Sequence, residues 1–141
     1  MSSEKISPQL EPLFKAAQTA RNNSYSPYSG HKVGAAIKLK NGQIFSGCNV
    51  ENSSYGATVC AERVAVQKAV SELGKIEIVE VLVLTDATPP WPPCGLCRQV
   101  LAEFGASEGI KLHSTNLSGA VESQPFSEIF PQAFTPAHLK K

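Results

Sequence analysis

Leu10, Leu13, Phe14 and Ala17 recur at the spacing of one helical face, and Ser7 followed by Pro8 reads as an N-cap and first helical position. A first helix is therefore predicted to run to about Asn22. Residues 23–30, rich in Ser, Tyr, Pro and Gly, mark a loop. Val33, Ala35, Ile37 and Leu39 then alternate with other residues, and a second extended run begins at Gln43 and ends near Cys48. With Asn41-Gly42 between them, the two runs predict a β-hairpin on a two-residue turn. A polar segment, 49–55, follows. Val66, Ala69, Val70 and Leu73 return to helical spacing, with Gly74 placed as a C-terminal cap, so a second helix starts at or just before Cys60. Residues 81–84 form a short apolar run, as in a strand covered on both faces. After a loop of four prolines and Trp91, residues 94–104 read as a third helix with Val100, Leu101 and Phe104 inward and Gly105 closing it. Strands are predicted at 110–114 and 120–122, joined by a tight 116–119 connection, and a short helix at 126–130. This order implies a mixed sheet with helices on its faces. Parallel neighbours need a crossover of a dozen or more residues, so the last two strands must pair antiparallel.

The chain has 141 residues, the usual size of one domain, and residues 1–141 are read as one. Its formal net charge is +1, and its Lys and Arg residues are scattered apart from the short basic end Lys140-Lys141. That distribution lacks the basic stripe of a phosphate-backbone footprint, which argues against a nucleic-acid partner. Residues 1–9 are polar, and no run approaches the roughly 20 apolar residues of a membrane helix, so a soluble, cytoplasmic protein with no membrane partner is expected. In that reducing compartment the four cysteines point to metal ligation or catalysis before disulfides.

Cys60-Ala61-Glu62 opens one predicted helix and Pro93-Cys94-Gly95-Leu96-Cys97 another. A helix N-terminus lowers a thiol pKa, and zinc binds the thiolate. Three thiolates leave a tetrahedral zinc one position for a water, the signature of catalysis. They also leave the metal with a net negative charge, which the helix N-termini and an arginine on a ligand sulfur would offset. Arg63 is the first candidate for that role and Arg98 the second. Glu62 lies two residues from a ligand but is a hard carboxylate, suited to moving protons at a water beside the metal.

These residues sit in five blocks. They are Tyr25-Ser26-Pro27-Tyr28-Ser29, Val33-Gly34-Ala35-Ala36, Gly47-Cys48-Asn49-Val50-Glu51-Asn52, Cys60-Ala61-Glu62-Arg63 and Pro93-Cys94-Gly95-Leu96-Cys97-Arg98-Gln99. In this order they resemble the small homotetrameric, zinc-dependent cytidine deaminases over nearly the whole chain. The resemblance implies an α/β fold, a three-layer α-β-α sandwich around a mixed five-stranded sheet. It implies one zinc per subunit on Cys60, Cys94 and Cys97, with Glu62 as proton shuttle. It further implies that Asn49 and Glu51 hold the ribose hydroxyls and that the backbone of Ala61 helps fix the base. The substrate segment would take in Val50, Asn52, Ser53, Ser54 and Tyr55, with Tyr55 and Phe134 reaching the site from neighbouring subunits. His31 stands where such proteins commonly have a Phe that packs on the pyrimidine, and Pro92 where they have Ser.

The implied reaction is hydrolysis of cytidine or 2'-deoxycytidine to uridine or 2'-deoxyuridine and ammonia by a zinc-bound hydroxide, a step of pyrimidine salvage. The antiparallel final strands resemble nucleoside deaminases, since polynucleotide deaminases usually end on a parallel pair. Glu51 near the sugar suits a neutral nucleoside, because it would repel a phosphate. Rival readings are a structural four-cysteine zinc site that includes Cys48, a dithiol oxidoreductase on Cys94 and Cys97, and a non-catalytic nucleoside or nucleic-acid binding module stacking on Tyr25, Tyr28 and Trp91. Asn49 and Glu51 as plain turn and surface residues, and His113 and His138 without a chemical role, complete the alternatives.

Overall fold

A computed structural model of the chain describes residues 6–139; the basic Lys140-Lys141 end and the first five residues of the polar start lie outside them. The apolar stripe beginning at Leu10 builds the first helix in two parts, a 3-10 turn at Pro8–Leu10 and helix α1 at Glu11–Arg21. Ser7 is extended as an N-cap should be, but its hydroxyl makes no capping bond. The backbone carbonyl of Ser7 accepts from Leu10 N–H at 3.0 Å instead. Leu10, Leu13 and Ala17 are buried, as the stripe requires.

Strands β1 (Gly34–Leu39) and β2 (Ile44–Cys48) form the expected antiparallel hairpin. Four residues, 40–43, separate the strands, and because Leu39 pairs with Gln43 the turn itself has three, Lys40, Asn41 and Gly42, which corrects the two-residue expectation. Leu39 C=O accepts from Gly42 N–H at 2.8 Å, and Leu39 N–H donates to Gln43 C=O at 2.9 Å. Gly42 has φ +93°, the left-handed residue that a three-residue hairpin needs to return the chain in register. The Asn-Gly pair thus marks the turn correctly but sits one residue later in it.

Helix α2 (Ala61–Leu73), strand β3 (Ile78–Thr85), helix α3 (Gly95–Glu103), strands β4 (Lys111–Asn116) and β5 (Val121–Pro125) and the short helix α4 (Phe126–Ile129) complete the chain. β3 begins three residues earlier than the apolar run 81–84 suggests, because Ile78 is also fully buried. The sheet runs β2-β1-β3-β4-β5, with β3 and β4 parallel and every other pair antiparallel. The last pair is therefore antiparallel, as its short connection demands. Asn116 Oδ1 ties that connection by accepting from Ser118 N–H and Ala120 N–H, both at 3.1 Å.

Two cores flank this sheet. Leu10, Leu13 and Ala17 of α1 meet Ala36, Leu82, Leu84 and Val121 on one face. Ala65, Val66 and Ala69 of α2, with Leu101 of α3, meet Ile37, Leu39, Val81, Val83 and Leu112 on the other. The architecture is the three-layer α-β-α sandwich expected of this sequence. Side chains near the edge of the α1 face that carry no apolar group pair with each other: buried His113 lies 2.8 Å from Glu80 and 2.7 Å from Ser123 across three strands. His113 is thus a satisfied core histidine.

One close approach positions the functional helix. A Cβ on Gly47 would lie 2.6 Å from Ala65 N and 2.7 Å from Ala61 O, so only glycine lets β2 seat against the first turns of α2. Gly47→Ala is expected to push α2 off the sheet and cost about 1–3 kcal/mol of stability, the usual range for overpacking. Urea unfolding checks the magnitude; an unchanged midpoint would show that α2 has room to spare.

Candidate active site

Cys60 and Cys94 are N-cap residues, extended at φ −73° and −70°, immediately ahead of α2 and α3. Cys97 lies three residues past Cys94, in the first turn of the same helix, so both its sulfur and that of Cys94 point out from one helix end. Because α2 and α3 pack side by side on one sheet face, two helix N-termini converge beside the carboxyl end of β3. The sulfurs of Cys60, Cys94 and Cys97 all lie within 4.8 Å of one another, with Cys60 and Cys94 3.8 Å apart. Zn–S bonds of about 2.3 Å in a tetrahedron imply sulfur separations of about 3.8 Å, so the donor set and its spacing fit zinc. Cys48 pairs with Gly34 on β1 and does not belong to this cluster, which counts against a four-cysteine structural site.

Arg63, one turn into α2, donates to Cys60 Sγ at 3.6 Å and to Thr58 C=O at 3.3 Å. Arg98 departs from its expected place. Its guanidinium donates to Pro93 C=O and Ile129 C=O, both at 2.8 Å, and so braces the loop before Cys94 against the end of α4. The side chain of Arg98 is long enough to pass the sulfurs and find backbone carbonyls, which adjacency to Cys97 in sequence could not reveal.

Hydrogen bonding with Cys97 and with Arg63 pulls the Cys60 thiol down to about 5, against the cost of burial. Hydrogen bonding with Cys60 and burial push the Cys97 thiol upward. Zinc loading near neutral pH should consequently release protons, that of Cys97 among them, and zinc affinity should fall as pH falls. Titrating zinc into weakly buffered apo-protein reads this as acidification, and a silent titration would contradict it. Glu62, only 4% exposed, has its carboxyl raised to about 7, first by burial and then by the nearby Cys60 charge. A carboxyl poised there both accepts and donates protons near neutrality.

The segment after β2 folds back on itself. Val50 and Val59 exchange backbone hydrogen bonds at 2.9 Å, while Tyr25 N–H donates to Asn49 C=O and Glu51 N–H to Tyr25 C=O. Asn49 faces inward: its Oδ1 accepts from the Ser24 hydroxyl and from Val33 N–H at 2.9 Å, and its Nδ2 donates to His31 C=O at 2.8 Å. Glu51 accepts from Tyr28 N–H at 2.9 Å, Ser29 N–H at 3.1 Å and the Ser29 hydroxyl, which lowers its pKa, the hydroxyl contributing most. Both side chains therefore hold the 23–30 loop in place while lining the site, a role neither the turn reading nor the surface reading allowed.

Cys60, Ala61, Glu62 and Cys94 line a cavity of about 250 Å³ together with Asn49, Glu51, Val33, Thr58, Val83, Thr85, Trp91 and Pro92. Sequence reasoning missed Val33, Thr58, Val83 and Thr85 as wall residues, placed Trp91 only as a stacking ring of the non-catalytic alternative, and read Pro92 only as a replacement for Ser. Asn52 and Tyr55 line an adjoining hollow of about 290 Å³ with Tyr28, Ser29, Glu51 and Thr58. Val50, Ser53 and Ser54 line neither hollow. His31 is exposed and does not line the cavity; its ring meets that of Trp91 edge-on, 5.3 Å between centroids. Phe134 is 54% exposed and lies away from the cavity of its own chain, its C=O accepting from Gln99 at 2.9 Å and its ring stacked on His138.

Comparison with known proteins agrees with this arrangement. The family model described as "Cytidine and deoxycytidylate deaminase zinc-binding region" matches residues 7–112. The cytidine deaminase of Halalkalibacterium halodurans is 46% identical over 123 residues, covering 87% of this chain and 92% of that protein. The cytidine deaminase of Sporosarcina psychrophila is 42% identical over 130 residues, covering 92% and 94%. Among solved structures, the cytidine deaminase from Burkholderia pseudomallei superposes with a TM-score of 0.81 at 39% identity, over 88% of this chain and 98% of that one. Cysteine-tipped helices, a buried glutamate between them and this degree of likeness over most of the length have one reading: the chain belongs to the zinc-dependent cytidine and deoxycytidylate deaminase family.

Proposed function

We propose that the protein hydrolyses the exocyclic amine of cytidine and 2'-deoxycytidine, giving uridine or 2'-deoxyuridine and ammonia. The observation that carries this is a cluster of three cysteine sulfurs, two of them in the wall of one small cavity, beside a buried carboxyl with a raised pKa in the same wall. Cys60, Cys94 and Cys97 hold the zinc, and Arg63 draws charge from the Cys60 sulfur. When bound, zinc supplies Lewis acidity that brings a water's pKa down to about 7. Glu62 takes a proton from the attacking water and delivers it to N3 of the ring. Once C4 is tetrahedral, Glu62 takes the remaining proton from the C4 hydroxyl and passes it to the amine, the C4–N4 bond breaks, ammonia leaves and the C4 carbonyl forms. The first N–H groups of α2, from Ala61 onward, have no partner within the helix and serve the base. Asn49 and Glu51 serve the sugar hydroxyls from the opposite wall.

Several features support a free nucleoside over a base in a polynucleotide or a nucleotide. The Glu51 carboxylate in the cavity wall repels phosphate, the last strand pair is antiparallel, and the net charge is only +1. A homotetramer whose neighbours insert Tyr55 and Phe134 would complete the site. Tyr55 is 76% exposed, and a 250 Å³ cavity is small for a whole nucleoside, both in keeping with walls supplied by other chains. Light scattering should give four chains per particle; a monomer active at full rate would exclude shared sites. Among the described residues no helix is long and apolar enough to cross a membrane. One domain over residues 1–141, working in the reducing cytoplasm where free thiolates persist and returning bases to salvage, is the setting we assign.

Loss of cytidine absorbance with purified protein, with and without a chelator, tests the reading against deoxycytidine, cytosine and CMP. Turnover of both nucleosides that stops on zinc removal is expected. CMP as the preferred substrate would overturn the nucleoside assignment.

A further inference from the structure

The family resemblance put the ring-contacting side chain at position 31, yet the structure turns His31 outward and gives the cavity a different aromatic. We infer that Trp91 is the base-contacting, specificity-determining residue of this chain, and that His31 acts through it as a positioning residue. This rests on the nucleoside reading of the site and refines which residue meets the pyrimidine.

Among the described residues, Trp91 is the only aromatic side chain lining the cavity that holds Cys60, Glu62 and Cys94. The remaining walls are small aliphatic or polar groups, so no other described side chain of the same subunit offers a pyrimidine a π-face there. Trp91 is 46% exposed, with indole surface still open to a partner. Its backbone is stiff on both sides. Pro90 and Pro92 fix their own φ, a residue preceding proline is held extended, and Pro90 and Pro93 are buried anchors. Little conformational freedom is left to lose when a ligand docks on the ring.

His31 supplies the second constraint. Its ring meets the indole edge-on at 5.3 Å and 63°, within the range of favourable aromatic pairs. The histidine backbone is pinned by His31 N–H donating to the Ser29 hydroxyl at 3.0 Å and His31 C=O accepting from Asn49 Nδ2 at 2.8 Å. Ser29 also donates to Glu51. The loop held by the two sugar-side residues thus sets the angle of the ring that faces the base. A Phe at position 31 would preserve the edge contact.

Trp91 is the chain's one tryptophan, so its fluorescence reports on this ring alone. In the zinc-loaded full-length protein, titration with uridine, which is not turned over, should quench or shift that emission along the binding curve measured by calorimetry. Base–aromatic stacking loses about 5- to 150-fold in affinity on truncation to Ala. Trp91→Ala should raise KM for cytidine within that range, change kcat far less, and leave zinc content intact, with Trp91→Phe recovering most of the loss. His31→Ala should raise KM about 2- to 12-fold, the worth of an aromatic pair, and alter the emission of free protein, whereas His31→Phe restores both. An unmoved KM in Trp91→Ala, or silent emission while calorimetry records uridine binding, would overturn the inference and leave the deaminase reading standing. A fall in kcat together with zinc would overturn it too, by making Trp91 a brace for the metal loop. Absence of both uridine binding and cytidine turnover in the wild type would remove the nucleoside reading itself.

Discussion

Glu62→Gln should lower kcat for cytidine by two to four orders of magnitude while leaving zinc content and nucleoside binding near wild type. The range is that of general acid–base catalysis by a positioned side chain, equivalent to about 3–5 kcal/mol of barrier. The expected separation of chemistry from binding follows from where Glu62 sits. It is the second residue of α2, buried, and outside the three-sulfur cluster. Glutamine keeps the shape and avoids burying a charge, so the fold gains nothing adverse, yet an amide cannot take a proton from water or return one to the amine. Rapid quench for turnover, metal analysis for zinc and calorimetry with uridine check the three parts. Substantial activity in this variant would refute the assignment of Glu62, and loss of zinc would make it a ligand.

Replacing a ligand should be as damaging for a different reason. Cys97→Ser and Cys60→Ser are each expected to leave the protein with substoichiometric zinc and no measurable turnover, whereas Cys48→Ser keeps both. A thiolate is lost from a three-sulfur set in the first two cases, and a hydroxyl at ordinary pH does not ionise to replace it. Cys97 is fully buried at the base of α3, so its loss also removes packing, and Cys60→Ser at the half-exposed N-cap is the cleaner variant. Cys48 pairs with Gly34 across the β1–β2 hairpin and lies outside the three-sulfur cluster. If Cys48→Ser lost zinc, the structural four-cysteine reading would return. Zinc measured after gel filtration, with melting temperature beside it, separates loss of metal from loss of fold.

Much of this molecule was legible from residue order. Helical spacing located α1, α2 and α3, and glycine at 74 did close α2, its φ +79° unavailable to most side chains at little cost. The four-residue gap before β5 dictated an antiparallel final pair, because no parallel crossover fits it. Cysteine at two helix starts announced the metal cluster, since the first turn of a helix has a strong local rule for what its end presents. Where local rules are weak the reading slipped. The hairpin loop gained a residue because Gly42 suits the left-handed position of either turn length. Strand β3 extended to Ile78 because burial by α2 and α3, a property of neighbours, decides where such a run stops.

The arginines show the same division. Arg63 and Arg98 each follow a catalytic-motif residue directly, and nothing local tells them apart. Helix phase and the course of the chain far away decide it: Arg63 turns to Cys60, while Arg98 turns to Pro93 and to Ile129 on a helix 31 residues distant. Asn49 and Glu51 likewise hold the 23–30 loop, a set of contacts that only the folded-back segment creates.

By itself, then, the sequence determined the elements, the antiparallel close of the sheet and the chemical class of the site, because periodicity, turn chemistry and thiol placement act over a few residues. Tertiary structure alone decided which side chains share the cavity. Convergence of two helix ends, the swing of Arg98 and the outward turn of His31 that leaves the wall to Trp91 all depend on contacts between segments far apart in the chain, where no spacing rule reaches.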